Sequence, residues 1–116
     1  MSRFSVAAVQ MVADRGKIEN LDKALRLIDE AVARFAPDLV VLPEYCNGEP
    51  TVHNVSERAE PIPGPFSDAM SARAAQHRIN LVSGSFAEAA TDGRAYNTTL
   101  VFDRTGAEIG RYRKTH

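Results

Sequence analysis

Glu44 stands directly after a short apolar run, at a position where a carboxylate could act as a general base. Residues 39–42 read LVVL, and Pro43, which has no backbone N–H to donate to a strand ladder, marks the end of a strand. In open α/β sheets, sites lie just beyond the carboxyl ends of the parallel strands. Partial burial there would raise the pKa of Glu44 towards values suited to proton transfer. The structural alternative is a carboxylate that pairs with a nearby arginine or caps a loop.

Lys114 and Cys46 are the next candidates for chemistry. Lys114 follows the segment EIGRYR, and an ammonium at that strand end could stabilise an oxyanion or hold an anionic substrate. Its alternative is a lysine that faces solvent. Cys46, the only cysteine, lies two residues beyond Glu44, so in an extended segment both side chains would point the same way, as a nucleophile and its base require. Its alternative is a small buried hydrophobe.

Metal and cofactor sites are not expected. The three histidines, His53, His77 and His116, show no metal-ligand spacing with one another or with Cys46. The sequence contains no G-x-G-x-x-G, Walker or H-E-x-x-H pattern. We therefore predict no metal and no cofactor.

The elements that must position these residues follow from the apolar spacing. Residues 4–11 are predicted to form a strand, residues 18–35 an amphipathic helix that ends before Pro37, and residues 38–42 a strand buried on both faces. A strand, a helix and a strand with short connections predict a parallel βαβ unit. The helix is expected to turn inward the apolar residues spaced by three and four: Ile18, Leu21, Leu25, Ile28, Val32 and Phe35.

The second half of the chain predicts a further helix and an antiparallel pair. A long loop over residues 44–65 contains the stiff sequence EPIPGP. A helix over residues 66–77, a third strand over 79–86 and a β-hairpin over 95–114 follow. The helix should bury Phe66, Met70 and Ala74.

Composition indicates an ordinary globular domain, or part of one. The 116 residues are 44% hydrophobic and 25% charged, and the formal net charge of −1 gives no electrostatic basis for binding nucleic acid or an anionic membrane. The basic residues cluster at Arg111, Arg113 and Lys114, as a phosphate patch or a solvated strand end would. A single cysteine, no signal-peptide pattern and no membrane-length apolar run predict a soluble cytoplasmic protein.

Four segments together resemble the nitrilase superfamily of carbon–nitrogen hydrolases. They occur in that family's order and at similar spacing, over nearly the whole chain from about Val6 to His116. They read VAAVQM, DLVVLPEY, IPGPFSDAMSARAAQHRINLVSGS and RAYNTTLVFDRTGAEIGRYRKTH. The resemblance implies an α/β fold, an α-β-β-α sandwich, of which residues 1–116 would be the incomplete N-terminal part of a single domain.

The resemblance also implies a Glu–Lys–Cys catalytic set. Glu44 matches the family's general base, and Lys114 matches the lysine that stabilises the tetrahedral intermediate. The family's nucleophilic cysteine follows the RKTH element, beyond this chain, and Cys46 does not match it. An ammonium beside Glu44 would favour the charged carboxylate and so oppose the effect of burial on its pKa.

Two further residues, Tyr45 and Asn97, are expected near this site, and the resemblance also implies an activity. Tyr45 would line or cover the pocket, and Asn97 would either bind near the substrate or fix a loop. The resemblance implies that the intact protein is a homo-oligomer that hydrolyses a small amide or N-carbamoyl compound, whereas the 116-residue chain alone is inactive. The alternative function is a non-catalytic half-sandwich that serves as an interaction or scaffold module.

Overall fold

The computed structural model describes residues 3–114, which form a five-stranded mixed sheet with three helices. The strands are β1 (Val6–Ala8), β2 (Leu39–Val41), β3 (Asn80–Ala89), β4 (Ala95–Phe102) and β5 (Glu108–Arg113), and they lie in the sheet in that order. The helices are α1 (Lys17–Phe35), α2 (Val55–Arg58) and α3 (Pro65–His77). No helix among residues 3–114 is long and apolar enough to span a bilayer. Thr115 and His116, the end of the RKTH element, lie outside the described residues.

The sheet changes from parallel to antiparallel pairing at β3. β1 pairs parallel with β2, and β2 pairs parallel with β3, so that Ala7, Val40 and Leu81 stand side by side. β4 then pairs antiparallel with β3, and β5 pairs antiparallel with β4. The predicted parallel βαβ unit and the predicted hairpin are both confirmed. The first strand is shorter than predicted, the third extends to Ala89, and α2 interrupts the long loop.

The helices α1 and α3 cover one face of the sheet. Val40 and Leu81 are fully buried in the core beneath them, together with Phe66, Met70 and Ala74 of α3, as predicted. On the opposite face Val6 is 54% exposed, and Leu39 and Val41 are only partly buried. Burial on both faces of β2 was therefore a wrong prediction for the described residues, which form one helical layer and one sheet of an α-β-β-α sandwich.

The predicted inward face of α1 is confirmed at its centre, where Ile28 is buried, and is wrong at its two ends. Ile18 and Phe35, at the two ends of the helix, are 71% and 63% exposed. The fully buried line runs through Ile28 with an asparagine and two alanines, and the other predicted apolar side chains pack along its margins. Its members are Asn20, Ala24, Ile28 and Ala31, and Leu21, Leu25 and Val32 lie at the margins.

Two features fix the start of α3. Pro65 occupies the first turn, where a missing N–H costs nothing. The buried carboxylate of Glu60 accepts a hydrogen bond of 2.6 Å from the backbone N–H of Phe66, which would otherwise be an unsatisfied donor. The Phe66 ring then stacks on Phe86 of β3 with 4.4 Å between ring centroids. This contact ties the helix to the central part of the sheet.

Gly84 allows β3 to approach the segment that precedes Glu44. The pairing of β3 with β4 is irregular between Val82 and Ser85, and Gly84 has a φ of +66°. A Cβ at this position would lie 2.6 Å from the carbonyl oxygen of Leu42 and closer still to that of Pro43. The close approach lets the backbone N–H of Ser85 donate to the carbonyl of Pro43 at 3.2 Å.

We predict that Gly84→Ala destabilises the full-length protein much more than Gly93→Ala. Both glycines have positive φ, so both substitutions carry a backbone cost of about 1 kcal/mol. Only Gly84 is crowded, because no atom lies within 4 Å of the position where a Cβ would stand at Gly93. Overpacking at Gly84 should add about 1–3 kcal/mol to the loss in free energy of unfolding. Urea unfolding of the two variants measures the difference, and equal losses would contradict the proposed crowding.

Candidate active site

Glu44 and Lys114 meet at one end of the sheet, just beyond the carboxyl ends of two strands. β5 runs in the same direction as β2, because two antiparallel pairings separate β3 from β5. The carboxyl ends of β2 and β5 therefore lie at the same end of the sheet. The two side chains that follow these ends meet there although they are 70 positions apart in sequence. Lys114 Nζ donates a hydrogen bond to Glu44 Oε2, and Asn97 Nδ2 of β4 donates to the same oxygen at 2.9 Å.

The backbone holds both partners of this pair in the sheet. On one side, the N–H of Leu42 donates to the carbonyl of Val82 at 3.0 Å, which extends β2 towards Glu44. On the other side, the N–H of Lys114 donates to the carbonyl of Asn97 at 2.9 Å, which extends β5 by one residue. Asn97 thus fixes the Lys114 main chain through its carbonyl and the Glu44 carboxylate through its side chain.

The pair stabilises two opposite charges. The hydrogen bond from Lys114 lowers the pKa of Glu44, and the hydrogen bond from Asn97 and the Lys114 charge lower it further. Glu44 raises the pKa of Lys114 in return. The lowering by Lys114 and Asn97 outweighs the rise expected from burial, because the Glu44 side chain is 54% exposed and burial contributes least to its pKa. The site therefore presents a carboxylate that can accept a proton and an ammonium that can stabilise negative charge.

Tyr45 turns the chain away from the pair. Its φ of +49° places it in the left-handed region, and its N–H donates to Ser85 Oγ at 3.0 Å. Desolvation, followed by the charge of Glu44, raises the pKa of the Tyr45 hydroxyl. Sequence reasoning missed Ser85, although a glycine inside the strand sequence VSGS signals a bulge or a close backbone approach.

Cys46 is part of the core and does not reach the Glu44–Lys114 pair. The turn at Tyr45 breaks the extended conformation in which Glu44 and Cys46 would point the same way, so that expectation is wrong. The thiol is fully buried, and its Sγ donates to the carbonyl of Ser83 at 3.3 Å. Burial raises the pKa of Cys46 to about 12, which leaves almost no thiolate at neutral pH.

A shallow cavity of about 210 Å³ opens beside the pair. Leu42 and Val82 give it an apolar wall, while Ser85 and Thr99 add hydroxyl groups. Asn97 Oδ1 is buried and has no hydrogen-bond partner within the described part of the chain, so its amide is oriented only through Nδ2. The cavity exposes the carboxylate and the ammonium to a small molecule.

The terminal basic residues do not form a free phosphate patch. Arg111 pairs with Glu108 at 2.9 Å, Arg113 pairs with Glu88 at 2.7 Å, and Lys114 pairs with Glu44. Each cation at this strand end thus has its own carboxylate.

The histidines are not arranged as metal ligands in residues 3–114. His77 is engaged with Asp29 at 2.7 Å, and His116 lies outside the described residues. Within this range no group of three or more His, Cys, Asp or Glu side chains could hold a metal ion.

Comparison with known proteins supports the resemblance noted from the sequence. The carbon-nitrogen hydrolase family matches residues 5–116. Omega-amidase NIT2 of Xenopus tropicalis is 36% identical over 116 residues, and that of Danio rerio is 38% identical over the same length. Each alignment covers 100% of this chain and 41% of the relative, so the chain spans less than half the length of these relatives.

Solved structures share the same fold. Nit3 of Saccharomyces cerevisiae, a member of branch 10 of the nitrilase superfamily, aligns with a TM-score of 0.83 and 30% identity over 97% of this chain and 44% of its own. A carbon-nitrogen hydrolase of Helicobacter pylori G27 aligns with a TM-score of 0.84 at 21% identity, over 97% of this chain and 40% of its own, and so supports the fold alone. The family match, which extends over almost the whole chain, shows that this protein belongs to the carbon–nitrogen hydrolases.

Proposed function

We propose that the intact protein hydrolyses a small amide or N-carbamoyl compound through a Glu–Lys–Cys set. Glu44 is the general base, Lys114 stabilises the oxyanion, and the nucleophilic cysteine comes from sequence beyond residue 116. One observation carries this proposal: the Lys114 ammonium and the Asn97 amide bind one oxygen of Glu44 beside an open cavity. The omega-amidase names of the relatives favour an amide over a nitrile.

The arrangement suits a two-stage acyl transfer. The thiol transfers its proton to Glu44 while its sulfur bonds to the carbonyl carbon, and the carbonyl electron pair moves onto oxygen. Collapse of this intermediate breaks the C–N bond, and Glu44 returns the proton to the leaving amine. Water then attacks the thioester with Glu44 again as the base, which releases the carboxylic acid and the thiol.

The ion pair links proton transfer to oxyanion stabilisation. In the resting site Glu44 balances the charge of Lys114. When Glu44 takes up the proton it becomes neutral, and the Lys114 ammonium loses its counter-charge just as negative charge develops on the substrate oxygen. The ammonium therefore interacts more strongly with the transition state than with the ground state, which is the condition for faster turnover.

Tyr45 and Asn97 have distinct places in this proposal. Asn97 acts by orienting Glu44, since its amide contacts the carboxylate directly. Tyr45 is half-buried next to the pair and borders the loop that would shape the substrate pocket. We propose that Tyr45 contacts the substrate. We propose that Asn97 both orients Glu44 and contacts the substrate.

A non-catalytic scaffold is the weaker explanation. A binding module gains little stability from a half-exposed ion pair, because solvent screens the two charges. The pairing of an acid and a cation in a cavity is better explained by proton transfer. We further propose that the intact protein is a cytoplasmic homo-oligomer, and that the 116-residue chain alone is inactive because its nucleophile lies elsewhere.

Glu44→Gln should remove most amide turnover and leave the full-length protein folded. An amide cannot accept the proton, and general-base catalysis contributes about 10²–10⁴-fold. Glu49→Gln is the matched control, since Glu49 is exposed in the adjoining loop. Turnover and thermal unfolding should be measured for both variants. A loss of less than about tenfold in Glu44→Gln, well below the usual contribution of a general base, would contradict the assignment.

Lys114→Ala should lower kcat more than it raises KM, because the lysine acts on the transition state. It should also move the acidic limb of the kcat/KM profile to higher pH. Lys114 is the main cause of the lowered pKa of Glu44, so without it Glu44 protonates at a higher pH and the base form is lost sooner. Lys23→Ala, on α1, is the control. An effect confined to KM would make Lys114 a substrate anchor instead.

Cys46→Ser should leave turnover unchanged in the full-length protein. The serine hydroxyl can replace the thiol as the donor to the carbonyl of Ser83, so the core should tolerate the change. Steady-state kinetics and a melting temperature for the variant suffice as measurements. Loss of turnover in a variant that still unfolds cooperatively would identify Cys46 as the nucleophile and overturn the proposal.

A further inference from the structure

We infer that Glu88 and Arg113 are positioning residues that aim Lys114 at Glu44. The inference rests on the proposed function, because it assigns a role in setting up the same Glu44–Lys114 pair. Arg113 and Lys114 are consecutive, and their side chains leave the strand on opposite faces, as alternate residues of a strand must. Arg113 contacts Glu88 and stands opposite Thr98 in the pairing of β4 with β5, whereas Lys114 contacts Glu44.

Glu88 is a buried anchor for the end of β5. Its side chain is 7% exposed, and it accepts from Arg113 at both oxygens, from Nε at 2.8 Å and from Nη2 at 2.7 Å. Thr98 Oγ1 donates to the same carboxylate at 2.7 Å. A two-point arginine–carboxylate contact fixes the angle as well as the distance between the groups. Residue 113 is thus held in one orientation by β3 and β4 together.

Tyr96 adds a second constraint on the same guanidinium. The Arg113 Cζ lies 4.4 Å from the centroid of the Tyr96 ring, which is a favourable cation–π distance. A lysine would keep the charge at this position but would lose both the fork of donors and the flat stacking surface. The site therefore selects arginine for its geometry.

The anchor matters because β5 is at the edge of the described sheet. Its ladder bonds connect it only to β4, and Lys114 comes directly after its last residue. Strand ends of this kind fray unless they are tied down. The Glu88–Arg113 contact reaches past β4 to β3, so it restrains the strand end and sets the direction of the Lys114 side chain.

A second arginine on the same strand supplies the comparison. Arg111 makes a similar two-point contact with Glu108, with both N···O distances 2.9 Å. Glu108 belongs to β5 itself, so this pair restrains no other strand. Arg111→Lys therefore alters a similar ion pair two residues away without releasing the end of β5.

The test compares Arg113→Lys with Arg111→Lys in the full-length protein and needs no turnover. Trace labelling with acetic anhydride at fixed pH, followed by peptide mass spectrometry, reports the free-amine fraction of Lys114 relative to Lys23. Glu44 raises the pKa of Lys114, and the other titratable groups around it are Tyr45 and Tyr112. Loosening the contact should lower that pKa, and a drop of about half a unit gives about threefold faster labelling of Lys114 in Arg113→Lys alone.

Kinetics of the same two variants supply the second readout. Arg113→Lys should lower kcat with little change in KM, whereas Arg111→Lys should behave as the wild type. Labelling and kinetics that are unaltered in Arg113→Lys, or altered equally in Arg111→Lys, would overturn the inference. If the labelling changes as expected but the wild type shows no amide turnover, the positioning role stands and the proposed function fails.

Glu88→Gln provides an independent variant in case Arg113→Lys does not fold. It preserves the size of the side chain and replaces one of the two acceptor oxygens with a donor group, so one of the two contacts with Arg113 is lost. The labelling of Lys114 should rise in Glu88→Gln as well. Unchanged labelling in a folded Glu88→Gln protein would contradict the role of Glu88.

Discussion

The site depends on a single strand, β3, which holds both halves of the Glu44–Lys114 pair. It pairs parallel with β2 and antiparallel with β4, and β5 in turn pairs antiparallel with β4. The carboxyl ends of β2 and β5 therefore lie at the same end of the sheet. Near its middle, the bulge at Gly84 lets Ser85 hold the chain around Tyr45. Further along, Glu88 holds Arg113. One strand therefore fixes the position of the carboxylate and of the ammonium relative to each other.

The charges of the site follow from this geometry. The Glu44–Lys114 pair is half-exposed, so it adds little to the free energy of unfolding, but it lowers the pKa of Glu44 and raises that of Lys114. The Glu88–Arg113 pair on the other face has a buried carboxylate, and breaking such a pair leaves an uncompensated charge. The pair with the buried carboxylate on one face thus lies next in sequence to a more exposed pair on the other.

Much of the fold could be predicted from local sequence, and the errors have physical causes. The helix at Pro65–His77 and its inward residues followed from apolar spacing, and Pro43 correctly marked the end of β2. The inward face of α1 was predicted correctly at Ile28 but not at its ends, and counting only large apolar residues missed the buried Ala24 and Ala31. Whether burial or Lys114 decides the pKa of Glu44 could not be predicted, since sequence gives neither the exposure of Glu44 nor its distance from Lys114.

Contacts between distant residues were the least predictable part of the site. The residue type of Asn97 left open whether it served the substrate or the loop, and only the strand pairing places its amide against Glu44. The Glu88–Arg113 contact joins residues 25 positions apart through strand register, which no local pattern encodes.

The mass of the acyl-enzyme would identify the nucleophile directly. The full-length protein should be quenched during turnover of an amide and digested, and the acylated peptide identified by mass spectrometry. We expect an acyl group on a cysteine C-terminal to residue 116, and an acyl group on Cys46 would contradict the proposed mechanism.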